Sequence, residues 1–336
     1  MSIDYYGTLG PSSERIEVLE GLIKAGMTGI RINLSHISLN QSGAWLNNLH
    51  EAEKRTGRKL KLLIDLQGPE LRIGSLDNPL ELTEGQEVRL GVGGIPVPRE
   101  VISRLTEGQE ILLDDGTISF RTMASDEGAW QCKVVNGGTL HSRKSIAIPG
   151  VEISLPALTN SDYENIAMAK KTGVTGVMQP FVRSKEDLMV LRGALEEAGA
   201  GNISVFAKIE SLEGVRMLPE LSACCDVIVI ARGDLGNAMP LWKLPGVQKS
   251  IASYCRKNGK PFMVVTQMLD SMRNKPVPTR AEVLDIYNAV IDGASSLMLT
   301  GETAAGRYPV EAMRYLVATG KEAESLNSDK EKRYNL

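Results

Sequence analysis

Histidine and cysteine are scarce in this sequence, and their scarcity argues against some kinds of site. The three histidines, at positions 36, 50 and 141, are too scattered for a His-rich zinc site. The four cysteines show no CxxC spacing. Cys224 and Cys225 are adjacent and lie in an apolar stretch, so they are predicted to be buried free thiols.

The sequence also lacks a basic excess and any long apolar run. A net charge of −3 argues against nucleic acid as a partner. No run of 18 apolar residues occurs, and the first ten residues, MSIDYYGTLG, contain neither a basic nor an apolar region. With 42% hydrophobic and 24% charged residues among 336, the composition predicts a cytoplasmic globular protein with a large core and no membrane association.

What is present is a regular alternation of strand and helix patterns. Eight short apolar runs are each followed by a stretch with helical spacing, which predicts parallel strands under covering helices. Eight such strands close a barrel, so the predicted fold class is α/β, a (β/α)8 TIM barrel. The predicted strands are Tyr5–Leu9, Gly29–Leu34, Leu60–Ile64, Val174–Phe181, Ile203–Ala207, Val227–Ala231, Pro261–Val265 and Ser296–Leu299.

The alternation stops between residues 75 and 148, where no convincing helix pattern appears. Short alternating runs and Gly-containing turns there predict a small β domain inserted into the barrel. The barrel domain is therefore expected to comprise residues 1–74 and 149–326, and residues 327–336 are expected to form a polar tail.

Polar side chains stand where the predicted strands end. Lys208 and Glu210 follow one buried strand, and Arg232 and Asp234 follow the next. Because the carboxyl ends of parallel strands meet at one edge, these side chains are predicted to form a divalent-metal site with a lysine beside it. The alternative is a pair of surface ion pairs. The other polar residues at strand ends are Arg31, Asn33, Ser35, His36, Asp65, Thr266, Thr300 and Glu302.

This set of residues suits phosphoryl transfer near a divalent ion. Glu210 and Asp234 offer two carboxylates, a usual protein complement for Mg²⁺, and a cation such as Lys208 can neutralise a transferring phosphoryl group. Gly233 lets the backbone approach closely, so its N–H and that of Asp234 are candidates to bind a carboxylate. No Walker A pattern occurs, so a P-loop site is not predicted. The oxygen ligands suited to a hard monovalent cation are Asn33, Ser35 and Asp65.

With these residues in hand, the chain resembles the pyruvate kinase family. The motifs that carry the resemblance are TLGPSS at 8–13, RINLSH at 31–36, DLQGPELR at 65–72, LDDGTISF at 113–120, FAKIES at 206–211, ARGDLG at 231–236, VTQMLDSM at 265–272, PTRAE at 278–282 and LTGETAAGRYP at 299–309. The resemblance implies that the insert is a small β-barrel lid. It also implies a glycolytic reaction in which phosphate moves from phosphoenolpyruvate to ADP, giving pyruvate and ATP.

The resemblance further implies roles for individual residues. Lys208 would stabilise the phosphoryl group during its transfer. Glu210 and Asp234 would hold Mg²⁺ or Mn²⁺. The Gly233–Asp234 backbone would bind the substrate carboxylate, with Thr266 near the enol carbon. The implied nucleotide contacts are Arg31, Asn33, His36, Arg72 and Asp115, the last on the lid. The implied K⁺ ligands are Asn33, Ser35, Asp65 and the Leu66 carbonyl. Thr300 and Glu302 would belong to a network that supplies a proton.

The sequence departs from the family pattern in several places. It ends just after the eighth helix, so the C-terminal regulatory domain and its allosteric control are expected to be missing, while a dimer through the barrel helices is favoured. The signals for K⁺ conflict, because Glu70 is similar to K⁺-dependent members whereas the nearby positions are similar to K⁺-independent ones. Those nearby positions are Leu66, Gln67 and Ile73, and the other departures include Ile37, Pro180 and Ala238.

Three hypotheses follow. The first is a phosphotransferase of the pyruvate kinase type. The second hypothesis is a diverged paralogue that has the same fold but acts on another phosphoryl acceptor or another enolpyruvate-like substrate. The third is a catalytically weak barrel that binds a metabolite or has a regulatory role, and a pure binding role gives no reason to keep Lys208, Glu210, Asp234 and Thr266 together.

Overall fold

A computed structural model describes residues 3–69, 71–114, 116–151 and 155–328. For residues 327 and 328 it describes the backbone only. The chain divides into two compact units. One comprises Met1–Gly68 and Ala157–Leu336, and the other is the insert Pro69–Pro156. The sequence places the same two divisions at 74/75 and 148/149. Glu70, Asp115 and most of the predicted polar tail lie outside the described residues.

The first unit consists of alternating strands and helices. In chain order its elements begin with β1 (Asp4–Thr8), α1 (Ile16–Ala25), β2 (Gly29–Asn33), α2 (Gly43–Thr56) and β3 (Lys61–Asp65). The insert supplies β4 (Leu80–Leu82), β5 (Glu87–Gly91), α3 (Arg99–Ile102), β6 (Glu110–Leu113), β7 (Ile118–Asp126), β8 (Ala129–Asn136), β9 (Gly138–Leu140) and β10 (Ile146–Ala147). The barrel resumes with α4 (Asn160–Ala169), β11 (Gly176–Gln179), α5 (Lys185–Glu197), β12 (Ser204–Ile209), α6 (Leu212–Arg216), α7 (Leu218–Cys224), β13 (Val227–Ala231), α8 (Arg232–Asn237) and α9 (Leu244–Lys257). It ends with β14 (Phe262–Val265), α10 (Arg280–Ile291), β15 (Ser296–Met298), α11 (Gly301–Ala304) and α12 (Pro309–Ser328).

The eight strands of this unit form a closed parallel barrel, which confirms the predicted fold class. Their order around the barrel is β1-β15-β14-β13-β12-β11-β3-β2. Each strand pairs in parallel with its neighbours, so all eight carboxyl ends lie at the same rim. We call this rim the barrel mouth.

Side chains alternate between the two faces of each strand, and this alternation separates two cores. The inward-facing side chains, including Tyr6, Leu63, Phe206 and Val229, form a small cluster that fills the barrel. The outward-facing ones, such as Ile230, join a larger cluster with the surrounding helices. The barrel is therefore a packed core, and chemistry is left to its mouth.

The insert is a separate all-β unit with its own core of buried aliphatic side chains around Phe120. Its described strands form a five-stranded antiparallel sheet in the order β10-β6-β7-β8-β5 and a two-stranded sheet of β4 and β9. The closed small barrel implied by the family resemblance is not formed among these strands. A one-turn helix at Arg99–Ile102 also appears where no helix was predicted, because four residues are too few to show helical spacing.

The cysteines are free thiols, as predicted. The predicted burial is confirmed for Cys225 and wrong for Cys224, which is half-buried, while Cys132 and Cys255 are buried. Burial raises the pKa of Cys132 to about 12 and that of Cys225 to about 11, so neither thiol is a ready nucleophile. Within the described part of the chain, no helix is both long enough and apolar enough to cross a membrane.

Candidate active site

The predicted site residues of the barrel unit stand at its mouth. Leu63 and Phe206 point into the barrel, and alternation carries Asp65 and Lys208, two residues further along each strand, to the same inner face. Ile30 and Ile32 face the helices, so Arg31 between them faces inward too. The remaining predicted residues follow at strand ends, namely Asn33, Ser35, His36, Glu210, Gly233, Asp234, Thr266, Thr300 and Glu302.

A chain of four charges links three strands at the mouth. Arg31 Nε and Nη2 donate to Asp65 Oδ2 at 2.9 and 2.6 Å. Lys208 Nζ lies 3.3 Å from Asp65 Oδ1 and 2.9 Å from Glu210 Oε1. The side chains of Lys208, Asp65 and Glu210 are only 14%, 3% and 2% exposed. Two cations and two carboxylates thus balance one another in a largely water-excluded position, and we call them the mouth network.

The mouth network sets the protonation state of Lys208. Burial by itself would lower the pKa of its ammonium, because the charged form loses water. The carboxylates of Asp65 and Glu210 outweigh burial, even against the repulsion of Arg31, and the pKa of Lys208 is raised above its ordinary value. Lys208 is therefore a fixed cation and not a base at neutral pH.

Glu210 also fixes an unusual turn after the neighbouring strand. Its Oε2 accepts a hydrogen bond of 2.8 Å from the backbone N–H of Phe181. Phe181 has a φ of 52°, a left-handed backbone conformation that residues other than glycine rarely adopt. Such a residue persists only where its surroundings hold it, at a cost on the order of 1 kcal/mol or more. Glu210 thus has a structural partner for each of its oxygens.

The loop after β3 is fixed from a helix on the barrel's outside. Asp162, buried in the first turn of α4, accepts hydrogen bonds from the backbone N–H of Gln67 at 3.0 Å and of Gly68 at 3.2 Å. Gly68 has a φ of 62°, and a Cβ there would lie 2.5 Å from Pro180 Cγ. Glycine is required at this position, and Pro180 is part of the reason. Sequence reasoning missed Asp162, although the capping pattern Thr159-x-x-Asp162 was readable.

A second left-handed turn follows β14, at Thr266 and Gln267, whose φ angles are 76° and 53°. Arg232, the first residue of α8, donates to the carbonyl of Thr266 from Nε at 3.1 Å and from Nη2 at 2.7 Å. Arg232 Nη1 donates to Asp285 of α10 at 2.6 Å. Thr266 packs over Gly233, where a Cβ would lie 3.3 Å from Thr266 Cγ2. The sequence pattern identifies Arg232 only as a strand-end charge and does not point to Asp285.

Glu302 ties the loops after β14 and β15 together. Its carboxylate is buried and accepts from the backbone N–H of Leu269 at 3.0 Å and of Thr300 at 2.8 Å. The Thr300 hydroxyl lies 3.3 Å from Glu302 Oε2, the oxygen that also accepts from the Thr300 backbone N–H. Thr300 and Glu302 therefore contact each other. Glu302 is held in place by backbone donors.

The residues implied to bind nucleotide are divided between the two units. Asn33 Oδ1 accepts from the Ser35 backbone N–H at 3.2 Å, a local turn at the end of β2, and His36 is exposed just beyond it. Arg72 belongs to the insert, where it pairs with Ser145 and donates to the Arg143 carbonyl at 2.7 Å. The predicted contact Asp115 lies outside the described residues.

The donor set at the mouth fits a metal that needs few protein ligands. Among the residues that the structure describes, no group of three His, Cys, Asp or Glu side chains is arranged to hold an ion. Glu210 and the exposed Asp234 provide two carboxylates at adjacent strand ends, which suits Mg²⁺ because it keeps waters and takes substrate oxygens as its other ligands. Asp65 Oδ1 is buried and accepts no hydrogen bond, although Lys208 lies near it, so it is an oxygen with capacity for a cation.

A pH test arises from the far end of the Thr266 loop, where Glu282 of α10 accepts from the backbone and hydroxyl of both Ser271 and Thr279. Partial burial would raise the pKa of Glu282, but these donors outweigh it and lower the pKa below its ordinary value. A lowered pKa gives stability that is present above the unfolded-state pKa and lost as the pH falls through the folded-state value. We expect Glu282→Gln to lower Tm at pH 7, with the gap to the unsubstituted protein closing between about pH 5 and pH 3.

The measurement is calorimetry across this pH range, with Glu164→Gln, an exposed glutamate of α4, as the control. Glu164→Gln is expected to leave Tm nearly unchanged throughout. A Glu282→Gln gap that stays constant with pH would contradict the assigned hydrogen bonds.

The fold and the mouth network define a (β/α)8-barrel protein with its polar site at the carboxyl ends of the strands. Within that class, the chain belongs to the pyruvate kinase family, because the family model described as "Pyruvate kinase, barrel domain" matches residues 2–313. This confirms the family predicted from the motifs.

Bacterial pyruvate kinases are among the curated proteins similar to this chain. The chain is 40% identical to pyruvate kinase of Geobacillus stearothermophilus over 318 residues, 91% of this chain and 54% of that protein. It is 40% identical to that of Staphylococcus saprophyticus over 334 residues, 96% of the chain and 57% of the relative. For Bacillus licheniformis the identity is 38% over 336 residues, with the same 96% and 57%. The chain thus spans a little over half the length of these relatives.

Proposed function

We propose that this chain carries a phosphotransferase activity of the pyruvate kinase type, moving phosphate from phosphoenolpyruvate to ADP to give pyruvate and ATP. The observation that carries the proposal is the mouth network, a buried ammonium held between two carboxylates on a barrel that matches this family. Phosphoryl transfer is catalysed mostly by positioning and charge, and a fixed cation at a barrel mouth supplies both.

Lys208 is the proposed catalytic cation. Because its pKa is raised, it stays protonated while a phosphoryl group passes, and it interacts with the developing charge without giving up a proton. Arg31 contacts phosphate from the other side of Asp65 in this proposal. Glu210 and Asp234 would hold Mg²⁺ or Mn²⁺, which when bound supplies positive charge to the phosphate oxygens.

Thr266 and Gly233 are the proposed substrate-binding pair. The Thr266 side chain lies against Gly233, and the lack of a Cβ there leaves the Gly233–Asp234 backbone approachable. A carboxylate bound to those N–H groups would bring the enol carbon of phosphoenolpyruvate near the Thr266 hydroxyl. Thr300 and Glu302 remain the proposed proton-supply network, with Glu302 in hydrogen-bonding distance of the Thr300 hydroxyl.

The monovalent-cation site and the nucleotide contacts are also proposals. Asn33, Ser35, Asp65 and the Leu66 carbonyl are the proposed K⁺ ligands, and the buried Asp65 Oδ1 without a hydrogen bond supports this assignment. The proposed nucleotide contacts are Arg31, Asn33, His36, Arg72 and Asp115. A homo-oligomer, with a dimer through the barrel helices, stays a prediction, as does a place in glycolysis.

One assay tests the proposal, in which the purified chain is mixed with phosphoenolpyruvate, ADP, Mg²⁺ and K⁺ and pyruvate is measured. We expect pyruvate formation that requires both ADP and Mg²⁺, since ADP is the phosphoryl acceptor and the protein's cations at the mouth cannot by themselves offset the negative charge of a phosphate monoester and a diphosphate. Omission of K⁺ should lower the rate if Glu70 decides the ion requirement. A rate indifferent to K⁺ assigns that decision to Leu66, Gln67 and Ile73.

The same assay separates the other two hypotheses. Pyruvate formed with a different nucleoside diphosphate or another phosphoryl acceptor, and not with ADP, identifies a diverged paralogue. Binding of phosphoenolpyruvate by calorimetry with no turnover under any combination identifies a metabolite-binding barrel and refutes the proposed activity.

A further inference from the structure

In the described part of the barrel unit, the residues other than glycine with left-handed backbone lie at the barrel mouth. Their φ angles are 52° for Phe181, 76° for Thr266 and 53° for Gln267. Each follows a barrel strand at its carboxyl end. Thr266 is the most unusual, because a β-branched side chain is strongly disfavoured in this region. A strained residue persists only where the surrounding structure determines its conformation, and it marks functional sites more often than other places.

The structure shows what holds Thr266. Arg232 donates to two consecutive carbonyl groups of the turn, to Val265 from Nε at 3.3 Å and to Thr266 from Nε at 3.1 Å and Nη2 at 2.7 Å. Its Nη2 also lies 3.0 Å from Met268 Sδ. One guanidinium thus spans four residues of the loop. Its side chain is only 11% exposed, so water competes little for these acceptors.

Asp285 orients the guanidinium from the opposite side. It lies on α10 and accepts from Arg232 Nη1 at 2.6 Å. The planar guanidinium presents donors in a rigid fork, so fixing one edge on a carboxylate fixes the direction of the other edge. A lysine at this position would carry the same charge but could not address both carbonyl groups and the carboxylate together. The arrangement depends on arginine and not on positive charge alone.

Arg232 is also covalently joined to the residue on which Thr266 packs. Gly233 follows it directly, and a Cβ at Gly233 would come within 3.3 Å of Thr266 Cγ2 and 3.9 Å of Thr266 Oγ1. The Arg232 side chain therefore holds the backbone of Thr266, and the lack of a side chain at Gly233 leaves room for the side chain of Thr266. The backbone and the side chain of Thr266 are thus both positioned by residues that directly follow β13.

We propose that Arg232, oriented by Asp285, is a positioning residue that keeps the Thr266–Gln267 turn left-handed and so aims the Thr266 hydroxyl at the substrate bound over Gly233. This inference rests on the proposed function for the role of Thr266, but the turn itself can be tested without turnover. Arg232 acts through Thr266 and does not touch the reacting atoms. Its loss is expected to affect the catalytic step more than the binding of phosphoenolpyruvate.

The test compares Arg232→Met and Arg232→Lys with the unsubstituted protein. We expect Arg232→Met to lower kcat by roughly 10- to 100-fold with little change in KM for phosphoenolpyruvate, as small misplacements of a catalytic group do. Arg232→Lys should be intermediate. Amide hydrogen exchange measured on a peptide covering 265–269 should become faster in Arg232→Met, because the turn is no longer held.

A rescue variant separates positioning from general damage. Gln267→Gly is expected to restore part of kcat when added to Arg232→Met, since glycine adopts a left-handed conformation without steric cost. The matched control is Arg192→Met, which removes another Arg–Asp pair, of 2.7 Å to Asp226, remote from the turn. It should leave kcat and the exchange of the 265–269 peptide unchanged.

The outcomes decide each proposal separately. Unchanged kcat in a folded Arg232→Met protein, or unchanged exchange of the 265–269 peptide, overturns the positioning role. If the unsubstituted protein forms no pyruvate, the proposed function fails. The exchange measurement then still decides whether Arg232 holds the turn.

Discussion

Replacing Lys208 with methionine is expected to lower kcat for pyruvate formation by about 10²- to 10³-fold, the loss typical of removing one preorganised charge or donor from a transition state. Phosphoenolpyruvate binding should stay largely intact, because the proposed carboxylate contact at Gly233–Asp234 does not involve Lys208. Tm should fall as well, because the buried carboxylate of Glu210 loses its cation, although Asp65 keeps Arg31 and Glu210 keeps the Phe181 N–H. Steady-state kinetics measures kcat, and calorimetry measures the substrate Kd.

The control for this variant is Lys249→Met, which removes an exposed lysine 2.8 Å from Asp292 on the barrel's outside. It should leave kcat and Kd unchanged. Turnover in Lys208→Met equal to that of the unsubstituted protein would refute the assignment of Lys208 as the catalytic cation. A loss of substrate binding as large as the loss of kcat would assign Lys208 to ground-state binding instead.

The second large effect is expected for Asp65→Asn and concerns stability as well as rate. Asp65 is the shared anion between Arg31 and Lys208, and its side chain is 3% exposed. Removing one partner of a buried ion pair leaves an uncompensated charge and costs about 3–5 kcal/mol. For a domain of this size, the expected fall in Tm is roughly 10 °C. The rate should fall too, because Lys208 and Arg31 then repel each other and move apart.

The matched control is Glu51→Gln, which makes the same carboxylate-to-amide change in an exposed pair with Arg55 at 2.7 Å. Exposed pairs contribute little, so Tm should hardly change. Scanning calorimetry gives both values under one set of conditions. Equal Tm values for Asp65→Asn and the unsubstituted protein would show that the mouth network does not stabilise the barrel.

Much of the barrel could be predicted from the sequence because local patterns determine it. Buried parallel strands are continuous apolar runs, and all eight predicted strands match barrel strands to within a few residues at their ends. The polar residues that end them were equally visible, since charge directly after an apolar run is a local feature. Arg31, Asp65 and Lys208 are therefore predictable as site residues from the sequence.

The partners of those residues could not be predicted in the same way. The sequence predicts Asp65 as an oxygen ligand for a monovalent cation, but it does not reveal that Arg31 and Lys208 are its charged partners. The pattern at 174–181 predicts extended backbone at Phe181, and nothing in the sequence predicts an unusual backbone at Thr266, yet both residues adopt left-handed backbone. No local pattern predicts such a turn when the residue is neither Gly nor Asn. The side chains that hold these two turns, Glu210 and Arg232, follow neighbouring strands.

The sequence by itself determined the class of fold, the family and the face on which each charged residue lies, because strand periodicity and motif order are local properties of the chain. Only the tertiary structure decided which charged side chains form the mouth network and which turns adopt left-handed backbone. Closure of the barrel places Lys208 beside Asp65, and Arg232 beside the carbonyl of Thr266, and the contacts between neighbouring strand ends then determine the pKa of Lys208 and the conformation of Thr266.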